Sequence, residues 1–205
     1  MKKNIRLKND YSLKERYKIK KSNIFWKAVD ELSFMSKRIG RIYEKSISKE
    51  YENEIKEFNL KSSKNILHIG CGPYPISAIS FSKIKNCKIV AIDKNENAVK
   101  KAKKIIDIKN LKERVSIKKG DGIDFSVDKF DTIIVSGCSI PKSKILKNIF
   151  ENAKSNTRII VREQGEISKI ILKIAEKYED VKITKKMENN PFPTSSWESF
   201  YFLKK

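Results

Sequence analysis

The fold of this chain is decided by one stretch of sequence, Asn65-Ile66-Leu67-His68-Ile69-Gly70-Cys71-Gly72-Pro73-Tyr74-Pro75. An apolar run enters a Gly-x-Gly turn, and a helical pattern follows it. One strand–helix–strand unit later, a second apolar run ends in a single acid, Asp93. Glycines at such a turn let the backbone approach a ligand closely, and an acid at the tip of the second strand accepts hydrogen bonds from ribose hydroxyls. The stretch therefore predicts an α/β domain that holds a nucleoside-containing ligand.

Strand and helix patterns alternate from Asn65 to about residue 178. We predict strands over residues 65–69, 88–92, 114–118, 130–135 and 157–162, and helices over 76–84, 95–107, 142–154 and 166–178. This alternation is typical of a parallel sheet with helices on both faces. The last two strand patterns, 181–187 and 197–203, have no helix between them, so they predict a closing antiparallel hairpin.

The N-terminal part has no strand pattern. Residues 1–22 are polar and basic, and they form either an arm or a short helix. Beyond them, apolar residues recur three and four positions apart, which predicts an amphipathic helix. This stripe consists of Phe25, Ala28, Leu32, Met35, Ile39 and Ile42, and a second stripe consists of Ile47, Tyr51, Ile55 and Phe58. We expect a break at Gly40, and two units: a helical extension over 1–60, which covers the ligand cleft, and a ligand-binding domain over 61–205.

The composition is that of a globular protein, with 39% hydrophobic and 35% charged residues. No stretch approaches the roughly 18 apolar residues of a membrane span. The N-terminus lacks the apolar core of a signal peptide, so we expect a cytoplasmic protein. The three cysteines are widely spaced and His68 is the only histidine, which argues against a metal site.

The formal charge of +21 suggests nucleic acid as a partner. However, only seven of the 46 basic residues are arginines, and arginine is the better reader of phosphates and bases. The lysine excess, with many Ile and Asn residues, is also typical of an A/T-rich genome. Abundant Lys and Glu also fit a thermophile-like composition. RNA therefore stays an alternative partner, with Lys2–Lys21 as the basic segment.

Five parallel strands and a closing hairpin resemble the class I S-adenosylmethionine-dependent methyltransferase fold over about residues 60–205. Gly70 and Gly72 match the first motif of that superfamily, and Asp93 matches the acid that binds the ribose. Gly120-Asp121-Gly122 follows the third strand, where the superfamily places an acid near the adenine. An NAD-binding turn expects a third glycine where this chain has Pro75. One departure is His68, which stands where many methyltransferases have an acid that orients the donor's amino group.

A narrower resemblance is to the nicotianamine synthase family, which shares this fold. The turn Gly70–Pro75 is similar to that family's Gly-x-Gly-Pro-x-Pro loop. The segments Val135–Lys144, Val161–Gly165 and Trp197–Lys205 are similar to three further segments of it. Those enzymes transfer the aminocarboxypropyl arm of S-adenosylmethionine to an amine, instead of the methyl group.

The resemblance implies S-adenosylmethionine as cofactor, with S-adenosylhomocysteine or methylthioadenosine as product. It implies a cofactor site made of His68, Gly70, Cys71, Gly72, Pro73, Tyr74, Asp93, Lys94, Asp121, Gly122 and Ser136. No metal is expected, and the catalytic residues stay unassigned, with Ser136, Cys138, Arg162 and Glu163 as candidates. Arg162 suits a carboxylate on donor or acceptor, or an ion pair with Glu163 or Glu166. Since a sulfonium is an activated donor, the protein mainly has to hold the acceptor in line, and a base is needed only for a protonated acceptor.

The sequence therefore predicts an S-adenosylmethionine-dependent transferase, in the first place a methyltransferase for a small-molecule acceptor. The alternative is a nicotianamine synthase-like aminocarboxypropyl transferase. A second alternative is an RNA methyltransferase, or a donor-binding module without catalysis. A homodimer is left open, and no membrane partner is expected.

Overall fold

The computed structural model describes residues 11–164, 168–191 and 196–205. Its helices are α1 (Leu13–Met35), α2 (Lys37–Glu57), α3 (Ile76–Phe81), α4 (Glu96–Ile108), α5 (Lys142–Asn152) and α6 (Lys169–Ala175), with a 3-10 turn at Leu60–Ser62. Its strands are β1 (Asn65–Ile69), β2 (Lys88–Asp93), β3 (Val115–Lys119), β4 (Thr132–Val135), β5 (Arg158–Glu163), β6 (Val181–Asn189) and β7 (Trp197–Lys204).

The strands form one sheet in the order β3-β2-β1-β4-β5-β7-β6. The first five are parallel, and β7 lies antiparallel between β5 and β6. The predicted α/β fold, with five parallel strands, a closing hairpin and an N-terminal helical extension, is thus confirmed. The chain leaves β1 toward β2 and β3 and then returns to β4, so the order reverses beside β1. Ligands of open α/β sheets bind in the crevice at such a point, outside the carboxyl ends of the strands.

Alternate residues of the parallel strands enter two apolar clusters, one on each face of the sheet. Ile66 and Ile89 pack with α2, α3 and α4, whereas Leu67 and Ile69 pack with α5 and α6. This alternation follows from the two-residue period of a strand. Because both faces are covered, the strands carry nearly unbroken runs of Ile and Val.

Two serines set the limits of the N-terminal helices. Ser12 caps α1: its Oγ accepts a hydrogen bond from Glu15 N–H at 3.3 Å, and the Glu15 carboxylate accepts one from Ser12 N–H at 2.6 Å. Ser36 ends α1 and caps α2, with its Oγ 3.4 Å from Ile39 N. The predicted break at Gly40 was therefore wrong, since the break lies at Ser36. A Cβ at Gly40 would lie 2.9 Å from Tyr74 Oη and 3.0 Å from Ser33 O, so the glycine permits close packing.

The first predicted apolar stripe was also wrong. Its members include Met35, 79% exposed, and Ile42, 55% exposed. Helix α1 instead packs Trp26, Val29 and Phe34 against the core and places Asp30 in the cleft, so the predicted stripe lies on the wrong side of the helix. The second stripe is confirmed, since Ile47, Tyr51, Ile55 and Phe58 are all buried.

Candidate functional site

A cavity of about 630 Å³ opens at the carboxyl ends of β1, β2 and β4. The loops after these strands form its floor, and residues of α1 form its roof. One side is an aromatic wall made of Trp26, Tyr43, Tyr51 and Trp197. All the predicted site residues line this cavity: His68, Gly70, Cys71, Gly72, Pro73, Tyr74, Asp93, Lys94, Asp121, Gly122, Ser136, Cys138, Arg162 and Glu163.

The Gly-x-Gly turn after β1 is held by the neighbouring strand. Gly70 N–H and Cys71 N–H both donate to Ile92 O, at 2.8 and 3.0 Å. Gly70 and Gly72 have φ angles of 82° and 66°, a left-handed conformation that favours glycine. A Cβ at Gly70 would overlap Ser139 Oγ. The turn thus presents bare backbone to the cavity, as a closely held ligand requires.

Asp93 ends β2 and stabilises the same turn. Its Oδ2 accepts a hydrogen bond from Gly72 N–H at 3.0 Å, and its Oδ1 accepts one from Asn95 N–H at 2.8 Å. A carboxylate has about four acceptor positions, so two remain for the hydroxyls of a bound ribose. Asp93 therefore combines a structural role with a position suited to the predicted binding role.

His68 is buried and electrically neutral. Its Nε2 lies 2.8 Å from Ser136 Oγ, which joins β1 to the loop after β4. Burial, together with the positive charge of Arg162, lowers the pKa of His68 to about 3. Among the described residues, its buried Nδ1 has no hydrogen-bond partner. Hence this side chain offers a ligand neither charge nor the acceptor capacity of a carboxylate.

The loop after β4 is supported from below by Lys142. The Lys142 ammonium is buried, donates to Ser136 O at 2.8 Å and lies 3.6 Å from the Glu163 carboxylate. Cys138 lines the cavity and is exposed there. Burial of the sulfur and the nearby Asp30 raise the pKa of the Cys138 thiol to about 12. It is therefore a thiol at neutral pH, and a weak nucleophile.

The guanidinium group of Arg162 is held by other side chains of the protein. Its Nε donates to Glu54 Oε1 at 3.0 Å, its Nη1 donates to Ser77 Oγ at 2.7 Å, and the guanidinium lies 4.0 Å from the centre of the Tyr51 ring. Glu163 is paired with Lys142 instead, and Glu166 lies outside the described residues. The partner of Arg162 is thus Glu54 of α2, which no local sequence signal indicates.

Tyr74, one of the predicted cofactor-site residues, is buried. Its hydroxyl donates to Glu44 Oε1 at 2.6 Å, and Glu44 also lies 2.5 Å from Lys109 Nζ. Lys94 donates to Ile140 O at 2.9 Å, across the mouth of the cavity. Both side chains line the cavity. Tyr74 connects the glycine turn to α2, and Lys94 connects the end of β2 to the loop after β4.

Asp30 of α1 is a site residue that the sequence reasoning missed. Its carboxylate lies above the turn, since a Cβ at Gly72 would be 2.5 Å from Asp30 Oδ2. Burial raises the pKa of Asp30 well above its usual value, although a hydrogen bond with Tyr43 opposes the shift. Two features of the sequence could have indicated Asp30. It lies in a segment predicted to cover the cleft, and the first motif has His68 in place of the usual acid.

Two features are absent from the described residues. None of the helices is both long and apolar enough to cross a membrane. No cluster of three or more His, Cys, Asp or Glu side chains is placed to hold a metal ion.

Several solved structures share this fold. MtNAS in complex with MTA and tNA gives a TM-score of 0.68 at 17% identity, over 87% of this chain and 69% of that chain. A point mutant of MtNAS in complex with S-adenosylmethionine gives 0.68 at 16% identity, over 87% and 71%. The mitomycin 7-O-methyltransferase MmcR gives 0.62 at 11% identity, over 85% and 60%. At these identities the likeness shows the fold alone.

The sequence itself matches a protein family. No curated relative matches the chain. A family model described as a methyltransferase domain matches residues 60–201, which is more than half of the chain and includes every strand of the sheet except the last few residues of β7. The chain therefore belongs to the methyltransferase domain family, with the class I S-adenosylmethionine-dependent methyltransferase fold.

Proposed function

We propose that this protein binds S-adenosylmethionine in the cleft above the Gly70–Gly72 turn and transfers its methyl group to a small-molecule acceptor. The main support is the joint geometry of that turn and Asp93. The turn offers bare backbone, and the carboxylate, already bonded to Gly72 N–H, keeps acceptor positions for a ribose.

The residues present fit such a donor. The floor of the cavity is polar near Asp93 and Asp121, whereas its other side is the aromatic wall. Bound S-adenosylmethionine supplies an electrophilic carbon on a sulfonium, so the protein has to supply position and dryness. The α1 roof covers the cleft, and the aromatic wall gives an acceptor an apolar surface to lie against. A cavity of about 630 Å³ has the size of a small-molecule site, which favours a small acceptor.

The catalytic candidates differ in what they offer an acceptor. Arg162 and Glu163 are engaged in buried ion pairs with Glu54 and Lys142. Ser136 shares a hydrogen bond with His68, and the Cys138 thiol is protonated. We infer that these four residues shape the acceptor pocket, and that no strong base is needed for an acceptor that arrives unprotonated.

A second candidate function is aminocarboxypropyl transfer to an amine. The Gly70–Pro75 turn favours it through its similarity to the nicotianamine synthase loop. The fold likeness to MtNAS in complex with MTA and tNA is consistent with it. The two reactions leave different products: S-adenosylhomocysteine after methyl transfer and methylthioadenosine after aminocarboxypropyl transfer.

Calorimetry on the purified chain tests the donor site. We expect binding of S-adenosylmethionine and S-adenosylhomocysteine, and a loss of about 1.5–3 kcal/mol in Asp93→Ala if its ribose bonds are those of a charged acceptor. Asp107→Ala, which removes an exposed acid paired with Lys112, is the control and should bind as wild type does. Unchanged affinity in Asp93→Ala would refute the assignment, and a wild-type preference for NAD would refute the donor class.

A further inference from the structure

Asp30 has a place in the cleft that packing alone does not explain. It comes from the α1 roof, and its Oδ2 lies directly over Gly72, the residue whose missing side chain opens the turn. Around it lie Tyr43 of α2, Asp93 of β2 and Glu31 of α1. A carboxylate in this position faces the space where the amino-acid part of a donor would cross the turn.

We propose that Asp30 binds the ammonium group of the donor's amino-acid part and so replaces the acid absent from position 68. The inference rests on the proposed donor site. It assigns a donor contact to the N-terminal helix, outside the segment 60–201 that matches the methyltransferase domain.

Other side chains at the turn are poorly placed for this task. His68 is neutral and shares its Nε2 with Ser136. The other acids near the cleft already have partners, and the remaining acceptor positions of Asp93 are assigned to the ribose. The partners are given in parentheses: Asp93 (Gly72 and Asn95 N–H), Asp121 (Ile123 N–H), Glu31 (Lys101), Glu44 (Tyr74 and Lys109) and Glu163 (Lys142). Within the described ranges, no Lys or Arg side chain forms an ion pair with Asp30.

The surroundings of Asp30 are suited to a cation that arrives with a ligand. A carboxylate removed from water is costly unless it is paired, and here burial raises its pKa while Asp93 and Glu31 add negative charge. Tyr43 holds the group in place by a hydrogen bond. An incoming ammonium would supply the missing positive charge.

Two ligands distinguish binding of the ammonium group by Asp30 from a general effect of Asp30 on the donor site. S-Adenosylhomocysteine carries the ammonium group, whereas methylthioadenosine has the same nucleoside and a thioether but lacks the amino-acid arm. In Asp30→Asn the size and the hydrogen bond to Tyr43 are retained and the charge is lost. We expect S-adenosylhomocysteine to bind about 10- to 100-fold more weakly, as for a lost charged hydrogen bond, and methylthioadenosine to bind as it does to wild type.

Further variants keep the test decisive. Asp107→Asn makes the same chemical change at an exposed position on α4 and should alter neither affinity. Asp30→Ser is a second neutral variant and should show the same selective loss. Neither change at position 30 should unfold the protein, because burial already disfavours the ionised carboxylate.

The results that would overturn the proposal differ from the result that would refute the donor site. Equal losses for the two ligands would place Asp30 against the nucleoside, and no loss for either would remove it from the site; each would overturn the proposal. A larger loss for S-adenosylmethionine than for S-adenosylhomocysteine would assign Asp30 to the sulfonium and would overturn it too. Failure of wild type to bind any of the three ligands would instead refute the donor site itself.

Discussion

Arg162 of β5 and Glu54 of α2 form a buried ion pair, with the Arg162 Nε 3.0 Å from Glu54 Oε1. Ser77 of α3 accepts a bond from the same guanidinium, and Ser199 of β7 donates to the same carboxylate at 2.5 Å. One charged pair thus joins helix α2 to helix α3, which follows the glycine turn, and to the closing hairpin. It fixes the helical extension onto the sheet at the base of the cleft.

The first prediction concerns this pair. Glu54→Ala leaves the Arg162 charge buried without its partner, and such a change typically costs about 3–5 kcal/mol. We expect that loss in the free energy of unfolding, measured by urea titration. Glu57→Ala on the same helix removes an exposed partner of Lys185 and should change stability little. Similar midpoints for the two variants would contradict the role of the Glu54–Arg162 pair.

A second prediction uses the single histidine of the sequence. Because burial lowers the pKa of His68 to about 3, its imidazole should stay neutral from pH 8 down to pH 5. Carbon and nitrogen chemical shifts of labelled histidine report this directly, and no second histidine obscures the signal. A midpoint near the ordinary histidine value of about 6.5 would show that the ring is open to solvent.

The same shift has a consequence for stability. Below about pH 6.5 the unfolded chain binds a proton at His68 that the folded protein does not bind, so the stability falls as the pH falls toward 3. His68→Gln removes this contribution. We therefore expect a smaller loss of stability between pH 7 and pH 4.5 in the variant than in wild type, by thermal unfolding.

Much of the fold follows from the sequence because it depends on local periodicity. The β1 and β2 patterns start where the strands start, and the hairpin follows from two strand patterns with no helix between them. The turn and Asp93 could be located because glycine conformation and strand ends set their positions.

Other features depend on contacts between distant residues. The inner side of α1 carries Asp30 as well as Trp26, Val29 and Phe34, which pack against the core. These residues do not coincide with the predicted apolar stripe, so the spacing of apolar residues alone did not give the orientation of the helix. The Arg162–Glu54 pair joins residues 108 positions apart, and several acids on α2 would have fitted equally well. The division into residues 1–60 and 61–205 and the site roles themselves stay predictions.

A further prediction tests whether the N-terminal helices cover the donor. A side chain at Gly40 would meet Tyr74 Oη and the Ser33 carbonyl, so Gly40→Val should push α1 away from α2 and open the roof. We expect weaker binding of S-adenosylhomocysteine in a protein that is still folded by circular dichroism. Ser48→Val, at a half-buried position on the same helix, is the control. Normal binding in Gly40→Val would mean that the extension serves another purpose.

The last prediction concerns the charge of +21. Part of the excess, Lys100–Lys104, lies on α4, which packs beside β2 and β3 at one edge of the sheet, whereas Lys182–Lys186 lies on β6 at the opposite edge. The described part of the basic segment, Lys14–Lys21, lies on α1, and Lys2, Lys3, Arg6 and Lys8 lie outside the described residues. Lysines spread over opposite edges do not form the continuous strip that follows a nucleic-acid backbone.

We therefore expect bulk tRNA to bind weakly, and binding to vanish near physiological salt. A functional groove would behave differently, because its affinity would fall log–log with salt at a slope near −0.7 for each single-strand phosphate contacted. A salt titration of fluorescent tRNA, with wild type and a variant in which Lys18, Lys20 and Lys21 are changed to Gln, separates the two. Nanomolar binding by wild type that persists at about 0.15 M salt and is lost in the variant would make RNA the leading acceptor.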